Sequence, residues 1–75
     1  MITLNAIREK LKDAIKNGGM TQAEICRKVN IKSSTIAQYL SGRAMPALDT
    51  FAKLCAVLDL DANEVLCIGE YSETE

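Results

Sequence analysis

Apolar residues recur at spacings of three and four along most of the chain, which is the period of a helix that buries one face. Near the N-terminus the pattern has four members: Leu4, Ile7, Leu11 and Ile15. It predicts a first helix over about residues 3–17, ended by the Gly18-Gly19 pair. The opposite face of that helix carries three basic residues: Arg8, Lys12 and Lys16. This basic face is either solvated or a contact surface for phosphate.

A second helix and a sharp turn are predicted after the glycine pair. Thr21, followed three residues later by Glu24, is a capping-box pattern that starts a helix over about residues 22–29. The apolar period then breaks at Asn30. Asparagine tolerates the left-handed backbone conformation better than most residues other than glycine, so we expect Asn30 to end the second helix and redirect the chain.

The third predicted helix, over about residues 33–41 and ended by Gly42, has two different faces. Ile36, Tyr39 and Leu40 share one face and are expected to anchor the helix to the core. The opposite face is polar but uncharged, and its members are Ser34, Ala37, Gln38 and Ser41. A helix divided in this way packs through one side and meets solvent or a partner through the other.

Pro46 precedes two further predicted helices. A fourth helix is expected over about residues 47–58, where five apolar residues recur at helical spacing: Leu48, Phe51, Leu54, Cys55 and Leu58. Asp61 and Glu64 repeat the capping signature and start a short fifth helix that is expected to stop near Gly69. The pattern as a whole therefore predicts an all-α, five-helix fold.

Length and composition fit one small globular domain. The chain has 75 residues, of which 48% are hydrophobic and 25% charged, so we expect a single compact core. That domain is expected over residues 1–69, and the acidic residues 70–75 are expected to form a frayed tail. No apolar run approaches the roughly 20 residues that span a bilayer, and the N-terminus lacks the apolar segment of a signal peptide. The expected location is the cytoplasm.

Three cysteines and the absence of histidine limit the chemistry of the chain. Cys26, Cys55 and Cys67 are odd in number and lack metal-ligand spacing, so we interpret them as small buried apolar residues. Without histidine, and with no serine or cysteine beside a plausible general base, the usual nucleophilic constellations cannot be assembled. We expect no enzymatic activity, no metal or other cofactor, and no small-molecule ligand in so small a core.

Two short helices joined by a tight turn, the second with one apolar and one small polar face, form the arrangement of a helix-turn-helix. Over residues 20–66 the sequence resembles the phage-repressor and Cro class of these domains, also called the xenobiotic-response-element family. Several spaced positions carry the resemblance together: Thr21, Gln22, Glu24, Cys26, Ile31, Ser34, Thr35, Ile36, Gly42, Pro46, Leu54 and Cys55. The resemblance implies a compact repressor-like domain that binds double-stranded DNA. Such a regulator, typically a repressor, inserts its third helix into the major groove of a palindromic operator as a homodimer.

The resemblance also implies roles for individual residues. It places four residues of the third helix at base edges: Ser33, Ser34, Ala37 and Gln38. Their chemistry suits that role, because glutamine can bond adenine at two points, serine can donate or accept, and an alanine methyl can pack on thymine. It assigns four residues to the phosphate backbone: Gln22, Lys32, Thr35 and Arg43. Phosphate contacts set position and affinity, whereas base contacts set sequence choice.

A net charge of −1 is unfavourable for a DNA partner, but the charge is divided along the chain. Residues 1–53 hold all nine Lys and Arg against four acidic residues, a net +5, whereas residues 54–75 hold six acidic residues and no basic one. The Debye length is about 8 Å at physiological salt, so an acidic end further away than that is substantially screened from the third helix. We expect the net positive charge of residues 1–53 to dominate the electrostatic potential at the DNA.

The chain departs from the family pattern at a few positions. Asn30 stands where glycine is common in the turn, and Asp59 stands where glycine often ends the fourth helix, so that end is expected to be somewhat strained. Ile15 and Leu40 stand where some members pair a buried Arg with a Glu. An apolar contact in that place avoids the desolvation of two charges.

Two alternative interpretations stay open. The uncharged outward face of the third helix also fits a protein-interaction module of helix-turn-helix shape, such as an antitoxin-like protein or the target of an anti-repressor. The second alternative is that the chain is the DNA-binding part of a longer repressor. For a dimer, three segments carry apolar groups away from the presumed DNA face: the loop over residues 43–48, the turn between the fourth and fifth helices, and residues 67–71.

Overall fold

The computed structural model describes residues 2–70, and every regular element in that range is helical. Five α-helices follow one another: α1 (Leu4–Asn17), α2 (Gln22–Val29), α3 (Ser33–Ser41), α4 (Leu48–Leu58) and α5 (Ala62–Val65). A short 3-10 helix, Ile68–Glu70, ends the described part. The predicted all-α, five-helix fold is confirmed, and the predicted bounds of α1 to α4 agree with the observed ones to within one residue. Most of the predicted frayed tail, residues 71–75, lies outside the described residues.

Helix α2 starts with the predicted capping box. The Thr21 hydroxyl accepts a hydrogen bond from the Glu24 backbone N–H at 3.1 Å, and the Thr21 N–H donates to Glu24 Oε1 at 3.2 Å. The Thr21 hydroxyl also donates to the same carboxylate. The backbone bond first, and the hydroxyl bond second, hold the pKa of Glu24 below its usual 4.5. The first turn of α2 is thereby held by a charged acceptor.

Asn30 forms the turn between α2 and α3 as predicted. Its backbone lies in the left-handed region, with φ 63° and ψ 52°, and its N–H donates to the Cys26 carbonyl. The Ile31 N–H donates to the same carbonyl at 3.0 Å. Both bonds close the end of α2, so α3 begins after only three residues in a new direction.

The core joins helices that are distant in sequence. Helix α2 packs on α3 and α4, while α1 packs on α3 and α5. Ile25, Ile36 and Leu54 have no exposed surface and come from α2, α3 and α4, respectively. Burial of each such side chain contributes about 1.5–3 kcal/mol. The other buried core residues are Leu11, Ile15, Cys26, Val29, Tyr39, Leu58, Val65 and Cys67.

The core also differs from the sequence pattern at three places. Leu4 is 59% exposed and Leu48 is 85% exposed, although both continue an apolar spacing. Each is the first residue of its helix. The interpretation of all three cysteines as buried is wrong for Cys55, which is half-buried. All three thiols are free, and burial raises the pKa of the Cys55 thiol.

Candidate nucleic-acid interface

The outward face of α3 is anchored from behind by the core. Ile36 is fully buried and Tyr39 is 7% exposed, so the opposite side of the helix is held toward solvent. Burial, followed by the charge of Asp49, raises the pKa of the Tyr39 phenol. This neutral aromatic ring acts as a packing group. The four predicted base-reading residues are all exposed on this helix: Ser33, Ser34, Ala37 and Gln38.

Most polar side chains on this face make no bond within the described part of the protein; the exception is Ser41, whose hydroxyl donates to the Gln38 carbonyl at 3.2 Å. Among the described residues, the side chains of Ser33, Ser34 and Gln38 have no hydrogen-bond partner. Their donors and acceptors are therefore available to an external ligand. From Ser33 to Gln38 the helix rises by about 7–8 Å, a length that corresponds to roughly three base pairs at 3.4 Å per step.

The predicted phosphate-binding residues lie around this face. Gln22, Lys32 and Arg43 are exposed, whereas Thr35 is half-buried and presents less surface. Lys32 precedes α3, and Arg43 follows the Gly42 that ends it. A nine-residue helix is about 14 Å long, close to the roughly 12 Å width of the major groove. Lys32 and Arg43 therefore stand at the two ends of this helix.

The backbone at the start of α3 adds a feature that sequence reasoning missed. Lys32 occupies the N-cap position, but its side chain makes no capping hydrogen bond. The N–H groups of Ser33 and Ser34 are therefore left without a side-chain cap. Unpaired N–H groups at a helix N-terminus carry partial positive charge and attract anions. Lysine at the N-cap position, in place of the usual Ser, Thr, Asp or Asn, is the sequence signal for this feature.

The acidic residues gather on other elements. An open groove of about 490 Å³ has four acidic residues in its lining, contributed by α1, the turn after α4, and α5: Asp13, Asp59, Asp61 and Glu64. None of the residues that line this groove belongs to α2 or α3. Lys10 of α1 also lines this groove, so the lining is mixed in charge but predominantly acidic.

The basic face of α1 is not uniform. Lys16 is exposed and Lys12 is half-buried, but Arg8 is folded onto the end of α3, where it lies against Gly42. Arg8 therefore belongs to the packing around the third helix rather than to a simple solvated face.

Residues 2–70 contain no group of three or more His, Cys, Asp or Glu side chains arranged to hold a metal ion. No helix in this range is both long and apolar enough to cross a membrane.

Comparison with known protein families matches residues 11–65 to the helix-turn-helix family, in its Cro/C1 type. The matched range starts within α1 and ends with α5, so it includes the whole proposed interface. Neither the curated proteins nor the solved structures contain a match to the chain.

Proposed function

This chain belongs to the helix-turn-helix family of the Cro/C1 type and is a DNA-binding regulator of that type, and we propose that it is a cytoplasmic transcriptional repressor that binds a palindromic operator as a homodimer. The observation that carries this proposal is the outward face of α3. That face is exposed and anchored from behind by Ile36, and it presents hydrogen-bonding groups that the fold does not use.

The base-reading part of the proposal rests on the side chains of α3. Gln38 bonds an adenine at two points, while Ser33 and Ser34 donate to or accept from base edges near the N-terminal end of the helix. The methyl group of Ala37 contacts a thymine methyl. Each good contact of this kind is worth about 1–3 kcal/mol of discrimination against the wrong base. A short run of such contacts is enough to specify a half-site.

The affinity of the complex is proposed to come from phosphate contacts around α3. Lys32 and Arg43 approach the two backbone strands from the ends of the helix, and Gln22 and Thr35 add uncharged hydrogen bonds. The exposure of Gln22, Lys32 and Arg43 supports these roles. Because each neutralised phosphate releases counterions, we expect binding to weaken steeply as salt is added.

The dimer is proposed to form through the loop over residues 43–48. Leu48 is 85% exposed at the end of this loop, beside the exposed Ala47. A leucine left in water is unfavourable, and a two-fold contact would remove it from water in both subunits. The turn after α4 instead exposes Asp59 and Asp61, whose charges suit a contact between identical surfaces less well. Two recognition helices about 34 Å apart would then enter successive major grooves.

The proposal is tested by selecting bound sites from random DNA with the purified protein. The expected result is a palindromic consensus whose half-sites are one helical turn apart. The double variant Ser34→Ala, Gln38→Ala should lose the preference for that consensus while keeping its fold. Asn63→Ala is the matched control, because it removes an exposed amide from α5 and should bind as the wild type does.

Two results would contradict the proposal. If the wild type shows no salt-dependent binding to any DNA at low salt, it is not a DNA-binding repressor. If the double variant binds DNA unchanged, α3 does not read bases, and the protein-interaction alternative is favoured. The likeness to phage repressors supports the repressor sense. A reporter gene placed behind the selected site tests it: expression should fall when the protein is present.

A further inference from the structure

Arg8 of α1 lies against Gly42, the residue that ends α3. A β-carbon placed on Gly42 would be 2.9 Å from Arg8 Cδ and 3.3 Å from Arg8 Nε. The stem of Arg8 therefore fills the space that any other residue at position 42 would need. Gly42 also has φ +82°, a left-handed conformation that favours glycine. The left-handed backbone thus favours glycine here, and a larger residue would also have to displace the Arg8 stem.

One nitrogen of the Arg8 guanidinium, Nε, faces the protein rather than open solvent. Nε is buried and has no hydrogen-bond partner among the described residues. Within residues 2–70 the side chain makes one hydrogen bond, a long one, from Nη1 to Asn5 Oδ1 at 3.4 Å. A buried donor without a partner is unfavourable. A compensating attraction is available, because the C-terminal end of a helix carries partial negative charge that favours a nearby cation.

The end of α3 next to Arg8 is also the start of the segment that leads to Arg43. The N–H groups of Arg43 and Ala44 both donate to the Gln38 carbonyl, at 3.0 Å and 3.3 Å. These bonds wrap the chain over the end of α3, directly beside the Arg8 stem. Arg43 itself is exposed, so its direction depends on how this wrapped segment is held.

We propose that Arg8 is a positioning residue for the DNA-binding surface: it holds the C-terminal end of α3 against α1 and so directs Arg43 toward the DNA backbone. The inference rests on the proposed function, in which Arg43 contacts phosphate. Arg8 acts through Arg43 and does not itself contact DNA. It connects the first helix, outside the helix-turn-helix pair, to the affinity of that pair for DNA.

A double-variant cycle tests this coupling. Affinity for a labelled random-sequence DNA duplex is measured at one low salt concentration for the wild type, Arg8→Ala, Arg43→Ala and the double variant. Arg8→Ala alone should weaken binding about tenfold, but the same change should have less than about a twofold effect when Arg43 is already alanine. Arg8→Lys should recover most of the loss, since it keeps a stem and a cation. Lys53→Ala on α4 is the control for the loss of one exposed charge and should leave affinity unchanged.

Amide hydrogen exchange supplies a second readout that does not need DNA. In Arg8→Ala, the amides of Arg43 and Ala44 should exchange at least several-fold faster, whereas the amide of Ile25 in α2 should keep its rate. The thermal midpoint of each variant shows that the comparison is made between folded proteins.

Several outcomes would overturn the inference. If the two losses of affinity add, and Arg8→Ala lowers the slope of log affinity against log salt by about 0.9, Arg8 contacts a phosphate directly. If Arg8→Ala changes only the thermal midpoint, its role is merely structural. Failure of the wild type to bind any DNA would instead overturn the proposed function. In that case, unchanged hydrogen exchange at Arg43 and Ala44 would overturn the positioning role as well. Faster exchange there would show only that Arg8 holds the segment after α3, and the link to DNA binding would be lost.

Discussion

Gly18 at the end of α1 lies directly against Leu58 at the end of α4. A β-carbon on Gly18 would be 2.8 Å from Leu58 Cδ2 and 2.9 Å from the Ala14 carbonyl oxygen. Leu58 is itself a core residue, 8% exposed. The glycine that ends the first helix therefore also permits the close approach of two helices that are far apart in sequence.

Replacing Gly18 with alanine should lower the free energy of unfolding by about 1–3 kcal/mol, because the backbone oxygen cannot move away as a flexible side chain can. Urea denaturation measures this change. Gly69→Ala is the matched control: nothing lies within 4 Å of a β-carbon there, so its effect should be small or slightly stabilising. Equal stabilities of the two variants would show that Gly18 and Leu58 are not in close contact.

Glycine at position 59 should give a protein at least as stable as the one with aspartate there. Asp59 ends α4 with φ 54°, in the left-handed region that costs a residue with a side chain roughly 1 kcal/mol or more. We expect Asp59→Gly to be at least as stable as the wild type and about 1 kcal/mol more stable than Asp59→Ala. Both variants remove the same charge, so their difference in urea denaturation isolates the backbone effect. No difference between them would mean that this end of α4 is not left-handed.

The capping box of α2 should make stability depend on pH in the acid range. The pKa of Glu24 is lowered in the folded state by its bonds from Thr21, so its contribution is complete above the ordinary value of 4.5. That contribution is lost as pH falls through the lowered folded-state pKa. An NMR titration of the Glu24 carboxyl should show this depressed pKa.

Thr21→Ala tests the same feature at the level of single bonds. It should destabilise the protein by about 1 kcal/mol and raise the pKa of Glu24 toward, but not fully to, the ordinary value, because the backbone N–H at position 21 still donates. Thr3→Ala is the control: the Thr3 hydroxyl caps α1 by accepting from the Ala6 N–H at 3.0 Å, with no carboxylate partner. Its loss should leave the pKa of Glu24 unchanged.

Replacing Lys32 and replacing Gln38 should change DNA binding in different ways. Lys32→Ala should weaken binding to all sequences alike and reduce the salt slope by about 0.9, as expected for one lost phosphate contact. Gln38→Ala should keep the salt slope and relax the preference at one base position. Affinity titrations at several salt concentrations, on the selected site and on a scrambled duplex, separate the two effects. A sequence-specific loss in Lys32→Ala would argue against a phosphate role.

Leu48 should matter for assembly and not for the fold of one subunit. Leu48→Gln should shift a dimer toward monomer in sedimentation at equal concentration, with little change in subunit stability, because this side chain is 85% exposed. Leu4→Gln makes the same change at a position that is 59% exposed on α1 and should leave the dimer intact. A wild type that is monomeric at all concentrations would remove the dimer from the proposal.

The local features of the chain follow from its sequence because they depend on residues that are near one another. The bounds of α1 to α4, the capping box at Thr21 and the left-handed turn at Asn30 each involve a few consecutive positions and are as predicted, whereas α5 ends at Val65 and not near Gly69. Apolar spacing also identifies the most deeply buried residues, Ile25, Ile36 and Leu54, since only one face of each helix can meet the core. The exposed polar face of α3 follows from the same rule.

Where each helix projects past its neighbours, and which side chain fills a gap between helices, depends on packing between distant residues. Apolar spacing therefore assigns Leu48 to a buried face, although the first turn of α4 leaves it in water. Nothing local distinguishes Arg8 from Lys12, yet Arg8 meets Gly42, the residue that ends another helix. The sequence by itself determined the helices, their caps and the polar face of α3. The tertiary structure decided the exposure of Leu48 and the contacts of Arg8 and Gly18, because those depend on how whole helices come together.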